Sequence, residues 1–199
     1  RPALLAALLL GGFVEGAAWL VERTLVARGV VYRPPAVGDY DAYLRQRDPL
    51  LGWPLRAPDA RRDASGSRIV PAAPDASAPA CLSLYGDSFT FGEEVAPEAA
   101  WGNLLAQRLG CRVANFGVGA YGSDQALLRF EANRADRAPL ILLGHMAENV
   151  ARNVNQFRGF LFASAALRLK PRFVLGEGDA LTLIPPPDLS RAEYERMLH

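Results

Sequence analysis

The sequence predicts an α/β fold in which residues 81–199 form a doubly wound parallel sheet in three layers. Short apolar segments alternate with segments of helical periodicity, and the intervals between them are short. Each apolar segment also runs into a loop that contains glycine. Such alternation is typical of right-handed β-α-β units, whose strands lie parallel in one sheet.

Three strands of this sheet are predicted, at residues 82–85, 112–116 and 139–143. Between the first two, apolar residues recur at helical spacing from Trp101 to Leu109, and Gly110 follows where a helix C-cap glycine is expected. Between the second and third strands, Ser123 can cap another helix. The sequence therefore predicts strand, helix, strand, helix and strand in succession.

A β-hairpin is predicted beyond the sheet. Two apolar segments, 172–175 and 181–184, flank Gly176-Glu-Gly-Asp179, which is a typical hairpin turn composition. Ser190 and Glu193 then form a capping box, which predicts a last helix. We interpret the hairpin as an insertion in the α/β fold.

Residues 1–24 form a separate N-terminal apolar helix in this interpretation. Residues 2–14 and 16–21 are almost wholly apolar, are interrupted by Glu15, and together have about the length that spans a bilayer. We expect a membrane anchor, with the remainder of the chain on the periplasmic or extracellular side. The alternatives are a helix buried against a partner, which Glu15 favours, and a cleaved signal peptide, although no clear cleavage site follows.

Residues 25–80 are expected to join this helix to the α/β domain. The part up to about residue 55 is rich in aromatic residues, and we interpret it as a strap that packs on the domain surface. Residues 57–80 are dominated by Ala, Pro, Asp, Ser and Arg and have no helical or strand period, which indicates a linker or a long mobile loop. The domain boundary is therefore placed near Ala80.

The composition excludes several classes of function. Of the 199 residues 50% are hydrophobic, and 22 Lys and Arg stand against 21 Asp and Glu, so no charge excess favours nucleic acid. Two cysteines and two histidines do not support a structural zinc site. No glycine-rich phosphate-binding motif follows any predicted strand. We expect neither a cofactor nor a nucleic-acid partner.

The candidate site lies in the loops that follow the three strands, because these loops share the edge where open α/β sheets bind ligands. The loops are Gly86-Asp87-Ser88, Asn115-Phe116-Gly117 and residues 144–149. A helix that starts near Ser88 would direct free N–H groups and its positive dipole end at this edge. An oxygen that becomes negative during acyl transfer would be stabilised there.

These motifs resemble those of the SGNH (GDSL-type) hydrolase superfamily, over residues 81 to about 155. The resemblance implies a flavodoxin-like fold and a serine esterase or acyltransferase. Ser88 matches the family's nucleophile, and Gly117 matches the glycine whose N–H serves the oxyanion hole. Asn149 matches the residue whose side chain donates to the oxyanion, although the spacing departs from the family's third motif and Glu148 could occupy that position instead.

The family's Asp-x-x-His motif, which supplies the general base, is not found. The histidines are His145 and His199, and Arg196 stands where the motif would need an acidic residue before His199. The family's sheet also has about five parallel strands, against three predicted here. We therefore expect an incomplete domain whose base lies downstream of residue 199, with His145 as the alternative base within the chain.

Other residues near the three loops leave their roles open. Asp87 is expected to order its loop, whereas Arg152 and Asn155 could either hold a substrate or order the third loop. Cys81 and Cys111 begin two strands that are expected to be neighbours, so a disulfide would be allowed in an exported domain. We favour two unpaired buried thiols.

The resemblance implies a function in the hydrolysis or transfer of an ester-linked acyl group. The expected substrate is an acylated carbohydrate or a small ester, such as an O-acetyl group on an envelope glycan. The aromatic strap and the hairpin are similar, more loosely, to parts of membrane-linked bacterial members of the superfamily. The alternative is a catalytically inactive glycan-binding or assembly module, which the departure in the third motif favours.

Overall fold

The computed structural model describes residues 2–30, 40–45, 47–53, 59–158 and 168–197. The helices in these ranges are α1 (Pro2–Ala27), α2 (Tyr40–Arg45), α3 (Ser88–Phe91), α4 (Trp101–Leu109), α5 (Ser123–Ala132), α6 (Glu148–Val154) and α7 (Arg191–Met197). The strands are β1 (Ala80–Tyr85), β2 (Arg112–Asn115), β3 (Ile141–Leu143), β4 (Arg172–Leu175) and β5 (Leu181–Ile184).

Strands β1, β2 and β3 form a parallel sheet in the order β2-β1-β3. This confirms the prediction of a mixed α/β fold with a parallel sheet, and the three predicted strands differ from the observed ones only at their ends. The central strand β1 is the most buried, and neither Leu84 nor Tyr85 retains exposed surface. At one edge, β3 carries the half-exposed side chains of Leu142 and Leu143.

The two faces of β1 contact different helices. On one face, Leu82 and Leu84 pack in a cluster with Val113 and with Ala106 of α4. On the other face, Tyr85 packs in a separate cluster that includes Ala126 of α5. Small side chains at both helix contacts let the helix backbones approach the sheet closely. The carboxyl edge of the sheet is thereby held between α4 and α5.

The helix ends agree with the sequence signals except at Ser123. Gly110 ends α4 in the left-handed conformation, as predicted. Ser190 and Glu193 form the predicted capping box before α7. Gly122, and not Ser123, is the N-cap residue of α5, and its N–H donates to the side chain of Gln125. The Ser123 hydroxyl is therefore left for another contact, which lies in the candidate site.

The predicted hairpin is confirmed, since β4 and β5 pair antiparallel as a separate two-stranded sheet. The chain just before the hairpin is fixed to α5 by a buried ion pair between Lys170 and Asp124. Burial raises the pKa of the Asp124 carboxyl and lowers the pKa of the Lys170 ammonium group. The pair therefore fixes the position of this segment at a desolvation cost.

Residues 59–79 contact the sheet and its loops, which differs from the mobile linker that their composition indicates. Arg62 Nη2 donates to the carbonyl of Gly117 at 2.8 Å, and the N–H of Arg68 donates to the carbonyl of Asn115 at 2.7 Å. The described residues of this segment do lack helices and strands, as predicted. Several of their polar groups bond to the sheet and its loops, so an aperiodic sequence is held in place.

Parts of the aromatic strap are described and pack as expected. Tyr43 lies in a buried cluster with Leu169 and Tyr194. Trp53 contacts Tyr121 edge to face, with 5.7 Å between the ring centroids. Residues 31–39, 46 and 54–58 lie outside the described residues, so the strap prediction is not assessed there.

Helix α1 coincides with the predicted N-terminal helix and ends three residues later than expected. Its large apolar side chains between residues 8 and 21 are exposed, including Leu9, Phe13 and Trp19. Over the ranges that the structure describes, no helix combines the length and the hydropathy needed to cross a membrane. The expected membrane anchor stays a prediction.

Cys81 and Cys111 form a disulfide, so the favoured interpretation as unpaired thiols is wrong. The register of the sheet pairs Ala80 with Arg112, which places the two cysteines at adjacent strand starts. Their Cα atoms are 6.1 Å apart, within the range that a disulfide allows. The bond lies at the amino ends of the strands, opposite to the edge that carries Ser88.

We expect the Cys81→Ser/Cys111→Ser variant to lose about 3 to 4 kcal/mol of unfolding free energy, because the bond closes a long loop. The two cysteines are separated by 30 residues. Urea unfolding with and without a thiol reductant measures this loss. The reductant should lower the stability of the wild type to that of the variant and leave the variant unchanged. If the wild type and the variant had the same stability without reductant, the prediction would be contradicted.

Candidate active site

The loop after β1 places Ser88 at the first position of α3. The preceding residue, Asp87, is the N-cap, and its carboxylate accepts from the N–H groups of Phe89 at 2.9 Å and Thr90 at 3.4 Å. The Ser88 side chain is half-buried, and within the described part of the chain its hydroxyl makes no hydrogen bond. Asp87 thus satisfies the helix start, as its predicted ordering role requires, and leaves the serine available.

Two glycines at strand ends make room for this turn. A Cβ atom added to Gly86 or to Gly144 would collide with the side chain of Thr90. Thr90 belongs to α3 and is buried between the ends of β1 and β3. The glycine of the Gly-Asp-Ser motif therefore has a packing role, since it lets α3 lie directly against the strand ends.

The structure brings Gly117 against the turn that carries Ser88. A Cβ atom on Gly117 would lie 2.5 Å from the nitrogen of Phe91 and 2.9 Å from the carbonyl oxygen of Asp87. Its own N–H, however, is buried and donates to the side-chain oxygen of Asn115 at 3.0 Å. The predicted role of Gly117 as an oxyanion donor therefore remains a prediction, and in this structure its N–H is already engaged.

Sequence reasoning missed Ala120, which lies in the same loop and has a positive φ of 67°. A residue with a side chain is strained in this conformation, and such strain is frequent at functional sites. Gly119 and Ala120 are half-buried, and their N–H groups donate to no group in the described ranges. The glycines of Gly117-Val-Gly-Ala120 indicated a tight turn, but no residue pattern distinguishes Ala120 from its neighbours.

Asn149 is brought to the same place by α6. Its side chain is buried, and its Nδ2 atom donates to Asp87 Oδ2 at 3.3 Å and to the carbonyl of Tyr121 at 3.2 Å. Asn149, rather than Glu148, reaches the Ser88 loop. Both amide hydrogens are engaged, so a donor role for Asn149 toward an oxyanion also remains a prediction.

Arg152 forms a buried ion pair with Asp87, with 3.2 Å between Nη1 and Oδ2. The same Nη1 donates to the carbonyl of Tyr121 at 2.9 Å, and Nη2 donates to Glu148 at 2.7 Å. The sequence left open whether Arg152 and Asn155 hold a substrate or order the loop. In this arrangement Arg152 bonds to groups of the loops after β1 and β2, and Asn155 donates to the carbonyl of Ala151 at the end of α6.

His145 is exposed, and its Nδ1 lies 2.7 Å from the Ser123 hydroxyl. Among the hydrogen bonds of the described residues, none joins His145 to Ser88. The other histidine, His199, lies outside the described residues. The structure therefore brings Ser88, Gly117 and Asn149 to one edge of the sheet, and within the described ranges it does not pair Ser88 with His145.

Three arginines of the segment 59–79 lie around Phe91, the last residue of α3. The sequence did not indicate this contact. The guanidinium groups of Arg61, Arg62 and Arg68 lie 4.4 to 4.8 Å from the ring centroid of Phe91. Arg68 donates to the carbonyls of Phe91 and Gly92, which compensates the negative end of the helix. Burial, with the nearby charge of Arg129, lowers the pKa of Arg62 to about 10.

Comparisons with known proteins give a likeness of limited extent. No protein-family model and no curated protein sequence matches the chain. A solved structure of a proposed lipolytic protein of the G-D-S-L family from Desulfitobacterium hafniense DCB-2 is similar, with 25% identity and a TM-score of 0.33. The similarity covers 38% of this chain and 43% of that protein.

The fold and the site therefore define the chain only by class. It is a mixed α/β protein with a parallel three-stranded sheet, and a serine at the carboxyl edge of the central strand lies at the start of a short helix. Two further loops contact the turn that carries this serine.

We expect Gly117→Ala to lower the free energy of unfolding by about 1 to 3 kcal/mol, because the new methyl group would press on backbone atoms of the Ser88 turn. Urea unfolding of the purified variant measures the change. Gly12→Ala in α1 is the matched control, since a Cβ atom there meets nothing within 4 Å. Its stability should equal or slightly exceed that of the wild type. A Gly117→Ala variant as stable as this control would contradict the close approach.

Proposed function

We propose that the chain carries the nucleophile of an ester hydrolase, with Ser88 attacking the acyl carbonyl carbon. One observation carries this proposal. Asp87 caps α3, so the hydroxyl of Ser88, the first residue of α3, is not used for capping. In the described ranges this hydroxyl makes no hydrogen bond. A serine at the edge where α/β proteins bind ligands is thereby left free to react. The likeness to a proposed lipolytic protein agrees with this reaction class.

The chemistry would proceed by acyl transfer. The oxygen of Ser88 forms a bond to the carbonyl carbon, and the carbonyl electron pair moves to oxygen. The N–H of Ser88 and the N–H groups of the loop at Gly119 and Ala120 are the available donors for that oxyanion. A general base takes the serine proton and returns it to the leaving alcohol, after which water or an acceptor alcohol releases the acyl group.

We propose a histidine other than His145 as the base, because Ser123 holds His145 away from this role in the structure. Gly117 and Asn149 could join the oxyanion hole only if their present partners, Asn115 and Asp87, were exchanged. Such an exchange on substrate binding is compatible with the general behaviour of catalytic hydrogen bonds, which often tighten only in the complex.

For the substrate we propose an acylated carbohydrate or a small ester, with an O-acetyl group on an envelope glycan as the favoured case. Phe89 follows Ser88 and is 72% exposed, and the partly exposed Trp101 donates to its carbonyl. Exposed aromatic rings beside the nucleophile suit the apolar face of a sugar ring. The disulfide agrees with an oxidising compartment such as the periplasm.

The second candidate function is a non-catalytic glycan-binding or assembly module. The observation that favours it is the engagement of both predicted donors, the N–H of Gly117 and the amide of Asn149, in internal hydrogen bonds. A module of this kind would keep the fold and the edge but would have no reactive serine.

A fluorophosphonate probe, which modifies activated serines, separates these functions. In a protein that includes the general base, we expect labelling at Ser88, its complete loss in Ser88→Ala, and no change in Ser77→Ala, whose hydroxyl bonds to Asp75. Mass spectrometry of the labelled peptides gives the readout. Absence of labelling, together with retained binding to an O-acetylated glycan, would support the binding module instead.

Hydrolysis of p-nitrophenyl acetate locates the base. We expect little turnover from residues 1–199, because an unassisted serine hydroxyl is a poor nucleophile at neutral pH. Rapid turnover that disappears in Ser88→Ala would show that a base lies within these residues. His145→Ala would then be the next variant to measure.

A further inference from the structure

We propose that Arg152 is the positioning residue that fixes Ser88 relative to the other two loops of the site. The inference rests on the proposed function of Ser88 and adds a role that the sequence left undecided. Arg152 comes from α6, which follows β3, and its guanidinium group contacts a residue from each of the three loops.

The contacts of Arg152 are spread over its whole guanidinium group. Nη1 bonds to Asp87 in the first loop at 3.2 Å and to the carbonyl of Tyr121 in the second loop at 2.9 Å. Nε and Nη2 bond to Glu148, at the start of α6, at 3.1 and 2.7 Å. Because the guanidinium group is planar and rigid, these bonds fix the relative positions of the three loops.

The link from Arg152 to Ser88 runs through one carboxylate. Asp87 Oδ2 accepts from Arg152, while Asp87 Oδ1 accepts from the N–H groups of Phe89 and Thr90 in α3. A shift of this carboxylate would therefore move the helical turn that begins with Ser88. Arg152 acts through Asp87, because only 5% of its side chain is exposed and it is out of reach of a substrate.

Lysine would replace the charge of Arg152 but not its geometry. A single ammonium group cannot reach Asp87, the carbonyl of Tyr121 and Glu148 in the three directions that the guanidinium group uses. Arg68 is a useful contrast, since it is equally buried and also contacts α3, but it bonds to the carbonyl end of the helix and not to Asp87. The position of the start of α3, where Ser88 lies, therefore depends on Arg152 and not on Arg68.

The test compares Arg152→Gln and Arg152→Lys with Arg112→Gln. Arg112 is the matched control because it forms an ion pair of similar length, 3.3 Å, with Asp63 at the opposite edge of the sheet. Two quantities are measured: amide hydrogen exchange at Phe89 and Thr90, and labelling of Ser88 by the fluorophosphonate probe as a function of probe concentration. The first follows the Asp87 cap, and the second follows the reactivity of Ser88.

In Arg152→Gln we expect exchange at Phe89 and Thr90 to accelerate at least about tenfold, while core amides of β1 change less. The maximal labelling rate should fall about 100-fold, with the half-saturating probe concentration within about threefold of wild type, because the serine is misplaced by a fraction of an ångström. Arg152→Lys should lie between wild type and Arg152→Gln. Arg112→Gln should leave both quantities at wild-type values.

The outcomes are distinguishable. Unchanged exchange at Phe89 and Thr90 in a folded Arg152 variant would overturn the proposal, and so would equal effects of Arg112→Gln. If a protein that includes the general base is not labelled at Ser88, the proposed function fails, whereas exchange still decides whether Arg152 holds the turn. If Arg152→Gln does not fold, Arg152→Lys decides, because it keeps the positive charge next to Asp87.

Discussion

The arrangement of the loops at the carboxyl edge of the sheet depends on one buried carboxylate, that of Asp87, which requires hydrogen-bond and ion-pair partners. Asp87 is almost wholly buried, and an unpaired carboxylate in that environment would cost several kcal/mol. Its two oxygens accept from two N–H groups of α3, from Asn149 and from Arg152. These partners come from different loops, so satisfying the charge requires the loops to converge beside Ser88.

The pairing of Asp87 also explains how a reactive serine can stand at a helix start. A serine in the N-cap position would use its hydroxyl to satisfy the helix N–H groups. Here the carboxylate does so from the preceding position, and Arg68 satisfies the carbonyls at the other end of α3. A four-residue helix is too short to be stable alone, so its shape comes from these buried charges and from the close contact with Gly117.

The apolar runs of the sequence were sufficient to place β1, β2, β3 and the hairpin, because each run is short and is bounded by glycine or other turn residues. Contacts of polar residues could not be derived in this way. Arg62 and Arg68 lie in a stretch without periodicity, so nothing in the sequence shows that their side chains reach α3. The engagement of the Gly117 N–H and the left-handed backbone of Ala120 depend on peptide orientation, which spacing does not encode. Predicting the disulfide requires the register of β1 and β2, which places the two cysteines side by side. The sequence alone left the disulfide and two unpaired thiols as alternatives.

The half-exposed leucines of β3 have a consequence for the protein in solution. Leu142 and Leu143 retain 40% and 50% of their surface on a strand that pairs with β1 on one side. An edge of this kind offers both apolar side chains and peptide groups to any other extended chain. We therefore expect concentrated samples of the protein to self-associate through this edge of the sheet.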